Sequence, residues 1–219
     1  VSSFQEDPTG YGRILRSRES LLGIVEHKDA TPEQLSISEV NAGVYVFAHD
    51  HLLAALKKLT TDNAQGEKYL TDVATIMLSE GQSVVAHPIT DNWLVAGIND
   101  RIQLSQVSAE LNARIVRAWQ LAGVTIQEPE TTWIDITCQL GQDVTLLPST
   151  RLKGLTKIGP GSTIGPDTTV TDSLVGANAV VLKSEVQSAE ISDGATVGPF
   201  AYLRPGTVLG ADGKIGAFV

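Results

Sequence analysis

The stretch Ile158–Thr169, IGPGSTIGPDTT, says one six-residue phrase twice. It is either a phosphate-binding glycine loop or one beat of a longer rhythm, and the fold turns on which. Counting back from Ile158 in sixes meets Leu152, Leu146, Leu140 and Ile134, and counting forward meets Ile164 and Val170. The phase then slips, with stations at Val175, Val181 and Val186, and locks again at Ile191, Val197, Leu203, Leu209 and Ile215. Four residues after each in-phase station comes a small or modest residue: Cys138, Val144, Thr150, Thr156, Ser162 and Thr168, later Ala195, Ala201, Thr207, Gly213 and Val219. Glycine often follows the station directly, as at Gly141, Gly159 and Gly176.

A helix repeats every 3.6 residues and a flat strand every two, so a period of six is neither. It fits short strands turning corners in stacked coils, with the aliphatic inside and the small residue at the corner. Glycine then takes the turn angles that side chains resist. Gly159-Pro160-Gly161 is therefore a rung, and no Lys-Ser or Lys-Thr follows it as a phosphate loop requires. The pattern resembles the bacterial hexapeptide-repeat acyltransferases. That resemblance implies a left-handed parallel β-helix, homotrimers and acyl-CoA bound between neighbours. The hand comes from it alone, since the usual crossover preference is right-handed.

Before the beat the pattern is α/β. Leu21–Lys28, Val40–Phe47 and Ser83–His87 read as strands. Asp50 stands where it would cap a helix bearing Leu52, Leu53, Leu56 and Leu59, and a second helix runs near Tyr69–Glu80 and stops at Gly81. So few strands suggest an incomplete sheet. Asp100–Leu121 reads as one helix about 33 Å long, ended by Gly123. It is either a rigid spacer or an ordinary packing helix of the first domain. The division expected is an α/β domain over 1–101, a linker helix over 102–122 and a β-helix over 123–219.

The formal net charge of -9 disfavours nucleic acids and anionic membranes as partners. One cysteine, Cys138, allows no intrachain disulfide and suits a reducing cytoplasm. No apolar run approaches the roughly 18 residues of a membrane span.

Six stretches carry a closer resemblance: PTGYGRILR (Pro8–Arg16), IVEHKDAT (Ile24–Thr31), EVNAGVYVF (Glu39–Phe47), DNAQGEKYLTD (Asp62–Asp72), AGINDRIQL (Ala96–Leu104) and VGPFAYLRPG (Val197–Gly206). In this order they resemble the bacterial bifunctional enzymes that are UDP-N-acetylglucosamine pyrophosphorylase and glucosamine-1-phosphate N-acetyltransferase in one chain. The resemblance implies acetyl transfer from acetyl-CoA to glucosamine-1-phosphate. Mg²⁺-dependent uridylyl transfer from UTP to N-acetylglucosamine-1-phosphate follows, for cell-wall precursors. It implies that Gly12 lets backbone approach the sugar, that Glu26 accepts from sugar hydroxyls, and that Asn41 bonds the sugar or its N-acetyl group. Asn99 would offer an amide oxygen to Mg²⁺, Arg204 would grip the sugar phosphate, and Glu67, Tyr69 and Thr71 would wall the pocket. Read without the family these are a turn glycine, a surface carboxylate, a strand-edge amide, the cap of the helix at Asp100 and a rung-edge arginine.

The family's partner aspartate and basic nucleotide loop lie upstream of Val1, and its acetyl-transfer histidine and most CoA contacts lie beyond Val219. All four histidines (His27, His49, His51, His87) precede the repeat, which also argues against a γ-class carbonic anhydrase. The chain accordingly reads as a fragment, inactive by itself, with no catalytic residue of its own. Two alternatives stay open. One is a nucleotidyltransferase for another hexose-1-phosphate; the other is a non-catalytic β-helix module for trimerisation or binding.

Overall fold

The structure, a computed structural model, describes all residues from Val1 to Val219. The chain divides into two compact units, Val1–Asn99 and Asp100–Val219.

In the first unit β1 (Ser2–Phe4), β2 (Arg13–Ser17), β3 (Ser20–Val25), β4 (Glu39–Asn41) and β5 (Pro88–Ile89) form one sheet in the order β3-β2-β4-β1-β5. β2 and β3 make an antiparallel hairpin with Ile14 opposite Ile24, whereas β1 and β5 run parallel. Three short helices accompany the sheet: α1 (Pro32–Leu35), α2 (His49–Leu56) and α3 (Asp72–Ser79). A capping box between Thr31 and Gln34 starts α1. Apolar burial is modest and split between two clusters, Ile14-Leu21-Ala74-Ala86 and Ala55-Val73-Met77. A half-buried ion pair supplements them. Arg16 grips Glu39 with two bonds of 2.6 and 2.7 Å, and Glu39 also accepts from the Ser2 hydroxyl.

Several expectations need correction here. The strand expected over Val40–Phe47 ends at Asn41, because Gly43 turns the chain at φ +73° while its N–H bonds the Asn41 side chain. Asp50 does not cap α2. Ala48 holds that position with no side-chain bond, and Asp50 sits in the first turn, where a negative charge suits the helix dipole. Ser83–His87 is not a strand; the pairing with β1 falls later, at Pro88–Ile89. The second helix starts at Asp72 rather than near Tyr69.

The second unit opens with α4 (Arg101–Leu121), whose N-cap Asp100 accepts from the Gln103 N–H at 2.8 Å. At its far end Gly123 takes φ +95°, its N–H bonds the Gln120 carbonyl, and the Val124 N–H bonds the Trp119 carbonyl. That pair of bonds is a Schellman stop. Three parallel sheets of five, five and six short strands follow, the faces of a β-helix of about five coils. The class is the one expected, an α/β sheet plus a parallel β-helix, its left hand being the one that the family resemblance implies.

The stations fill the inside. Leu146, Leu152, Ile164, Val170, Val181, Val186 and Val197 are fully buried in one continuous cluster. The small residues stand at the corners, and their hydroxyls are satisfied there. Thr150 donates to the Leu147 and Ile164 carbonyls, and Thr156 to those of Lys153 and Val170.

The slip in phase has a structural cause. Ile158 pairs with Leu140 eighteen residues earlier but with Val175 only seventeen later, and Val170 pairs with Val186 only sixteen later. Three corners are one residue short, and Asp172, Lys183 and Ser188 cross them in left-handed conformations at φ +47°, +42° and +45°. What stays fixed is the small residue two places before each station. Ser173, Ser184 and Ala189 are buried ahead of Val175, Val186 and Ile191 in the same way as Thr156 ahead of Ile158.

The glycines after the stations divide: Gly165 and Gly198 take left-handed φ values of +103° and +101°, as expected, and others do not. Gly141, Gly159 and Gly176 have no left-handed φ. They are needed because the coils touch: a Cβ on Gly159 would lie 2.5 Å from the Gly176 carbonyl carbon, and one on Gly141 2.6 Å from the Pro160 nitrogen.

The helix α4 covers the first coil. Val116 joins the β-helix core, with Ile115 and Trp119 packed against it. Asn112 donates to the Thr132 carbonyl at 2.8 Å and accepts from the Ile134 N–H at 3.1 Å. One side-chain amide thus takes the place that a further strand would hold on that sheet edge.

Candidate functional site

The hairpin β2–β3 brings Gly12 and Glu26 side by side. A Cβ on Gly12 would lie 3.4 Å from Glu26 Oε2 and from the Val25 carbonyl, so a side chain there would close the gap that Glu26 faces. Thr71, buried at the start of α3, donates to Glu26 Oε1 at 2.8 Å. Its hydroxyl is thereby spent on Glu26 rather than on capping the helix.

Asn41, at the end of β4, donates its backbone N–H to the Gly12 carbonyl at 2.8 Å. Its side-chain amide donates to the Tyr45 hydroxyl at 2.6 Å, and its oxygen accepts from Gly43. Burial pushes the Tyr45 phenol up, the Asn41 bond opposes this, and the Glu26 carboxylate raises it further. Gly12, Glu26, Asn41 and Thr71 therefore form one polar cluster, with Tyr45 on its edge.

The remaining residues sit around it. The Tyr69 phenol is raised by burial first, and the Asp29 and Glu26 charges add to this; Gln65 bonds its hydroxyl. Glu67 is exposed, and its backbone N–H and carbonyl are both held by the Asn63 side chain. A Cβ on Gly97 would lie 3.5 Å from the Tyr11 hydroxyl and 3.8 Å from Asn99 Nδ2, so the segment carrying Asn99 passes beside the glycine turn. Asn99 does not cap α4; Asp100 does. Arg204 belongs to the second unit, where it is exposed just past the strand Tyr202–Leu203.

For Mg²⁺ the fit is incomplete. Asn99 offers one hard oxygen, and no three His, Cys, Asp or Glu side chains gather anywhere as a metal site.

Sequence reasoning missed Tyr45, Arg13 and His27. The Asn41–Gly43 turn hints at Tyr45, because it folds the chain back onto the amide. Arg13 gives no such sign, since nothing in GYGR says that its arginine is buried.

The fold and this cluster define a hexapeptide-repeat β-helix protein that carries a polar cluster on an α/β unit. No family model matches the chain. It is 56% identical over 215 residues to the bifunctional protein GlmU of Clavibacter sepedonicus. It is 55% identical over 215 residues to the GlmU of Mycobacterium bovis and 56% over 214 to that of Mycobacterium ulcerans. These matches take in 97–98% of this chain and 43–44% of the relatives, so the chain spans less than half their length. A solved structure of GDP-perosamine N-acetyltransferase from Caulobacter crescentus is 17% identical and covers 64% of this chain and 78% of its own, with a TM-score of 0.28. That superposition is too loose to argue from. Over nearly its whole length the chain is thus similar to the bifunctional GlmU proteins.

Proposed function

We propose that the chain is part of an enzyme of UDP-N-acetylglucosamine synthesis, with the α/β unit holding the sugar for uridylyl transfer and the β-helix serving acetyl transfer. The observation that carries this is the convergence of Gly12, Glu26, Asn41 and Thr71 in one polar cluster. Uridylyl transfer is an in-line attack of the sugar phosphate on the α-phosphate of UTP, with pyrophosphate leaving. It needs placement and charge neutralisation rather than a protein nucleophile. Glu26, held by Thr71, accepts from sugar hydroxyls, Asn41 meets the N-acetyl group or the sugar ring, and Gly12 leaves them room. Asn99 would be one oxygen ligand of Mg²⁺, and that ion, when bound, neutralises phosphate charge. Arg204 would bind the phosphate of glucosamine-1-phosphate, and acetyl-CoA would supply the acetyl group.

The β-helix carries no histidine, so these 219 residues alone are not expected to complete acetyl transfer. A homotrimer in the cytoplasm is part of the same reading, and no helix is long and apolar enough to cross a membrane. Calorimetric titration with UDP-N-acetylglucosamine, UDP-glucose and ADP-glucose tests it. Binding of the first in preference to the others, weakened at least about tenfold by Asn41→Ala, one lost polar contact to a ligand, is the expected result. A clear preference for either hexose nucleotide overturns the choice of sugar.

A further inference from the structure

The α/β unit keeps one cation almost wholly inside. Arg13 is 1% exposed. It follows Gly12 into β2, so its side chain points to the face of the hairpin away from the pocket. No carboxylate hydrogen-bonds it; exposed Asp7 feels its charge only through space. Its Nη1 donates to the Tyr11 carbonyl, while its Nη2 lies 3.4 Å from His27 Nδ1 and 3.5 Å from the Leu35 carbonyl. Its Nε has no partner. His27 Nδ1 also accepts from the Gly10 N–H at 3.3 Å. With two donors aimed at it, that nitrogen carries the lone pair and the ring proton sits on Nε2.

A buried guanidinium without a counter-charge is costly, and a packed aliphatic would fill the space without that cost. What arginine adds is a planar fork that reaches several acceptors at once. These acceptors lie on three segments: Tyr11 in the glycine turn, His27 immediately after Glu26, and Leu35 at the end of α1. From this we infer that Arg13 is a positioning residue of the sugar pocket. From behind β2 it joins with His27 to clamp the Gly10–Gly12 turn onto the end of β3, where Glu26 follows, and so fixes the gap between Gly12 and Glu26. The inference rests on the sugar-phosphate reading of that pocket.

The test is uridylyl transfer by the protein as its gene encodes it, with UTP and N-acetylglucosamine-1-phosphate varied separately. Arg13→Lys keeps the charge and loses the fork. It should raise the KM for the sugar phosphate at least about tenfold, within the hundredfold that a 1 Å misplacement can cost, and leave the KM for UTP within about twofold. His27→Leu removes the shared acceptor, should show the same selectivity, and stands in if Arg13→Lys does not fold. Equal rises in both KM values, a fall in kcat alone, or unchanged kinetics would each overturn the positioning role. If the unaltered protein neither turns over nor binds the sugar phosphate, the reading of the pocket fails first and the inference falls with it.

Discussion

Inside the β-helix each buried side chain has a near-copy of itself one coil away: Ile158 lies between Leu140 and Val175, and Ile164 between Leu146 and Val181. The α/β unit has no such repetition. Its buried positions include Arg13 and Glu39, its apolar clusters are small, and Val46 and Val85 stand 98% and 77% exposed. One unit is built by stacking and tolerates little change in shape. The other depends on single polar partners far apart in sequence, such as Arg16 with Glu39, and tolerates little change in charge.

The contrast can be broken or sharpened by experiment. Gly159→Ala pushes a methyl into the backbone of the next coil and should cost about 3 kcal/mol or more. Hydrogen exchange should show that loss in the second unit only; a loss shared by both units would break the contrast. Glu39→Ala leaves the Arg16 charge without its partner and should cost about 3 kcal/mol, read in the first unit. Asn112→Leu strands the Ile134 N–H and the Thr132 carbonyl, and should cost about 2 kcal/mol, with protection lost first in the coil under α4.

The units should also fail at opposite ends of the pH scale. The Arg16 bond, the largest cause, holds the Glu39 carboxyl below its ordinary value, and Ser2 helps. A depressed carboxyl stabilises above its unfolded value and ceases to do so as pH falls through the folded one, so the first unit weakens in acid. Burial pushes the Cys138 thiol up to about 11. Its contribution is intact below the unfolded value and is lost as pH rises towards that figure, so the second unit weakens in alkali. Cys138→Ser should flatten the alkaline slope and leave the acid one; an unchanged alkaline slope would remove this account.

The β-helix was legible because its rule is local. An aliphatic, a small corner residue and a glycine recur at fixed distances, and the chain repeats them until the pattern is certain. Its limit came at Val170–Ile191, where three short corners shift the beat while the small residue before the station stays in place. The long helix α4 could be read from its pattern, and so could β3 within Leu21–Lys28, but β2 and the extent of β4 could not. Nothing in VNAGVYVF reveals that Gly43 turns back towards Asn41. The pocket residues Gly12, Glu26, Asn41 and Thr71 were reached through family resemblance. The supports beneath them, Tyr45, Arg13 and His27, depend on contacts between segments that no local spacing encodes.

The amide of Asn112 gives the stack of coils a fixed origin. With one end closed by a side chain and not by another strand, every later level lies at a whole number of steps from α4, each about 4.8 Å high. Such a stack works as a ruler. Removing one complete coil, for instance from Ile164 to Val180, would bring everything beyond it one step nearer to α4 without rotating it to another face. The height of any residue on the β-helix is thus graduated in the sequence, and could be reset by counting.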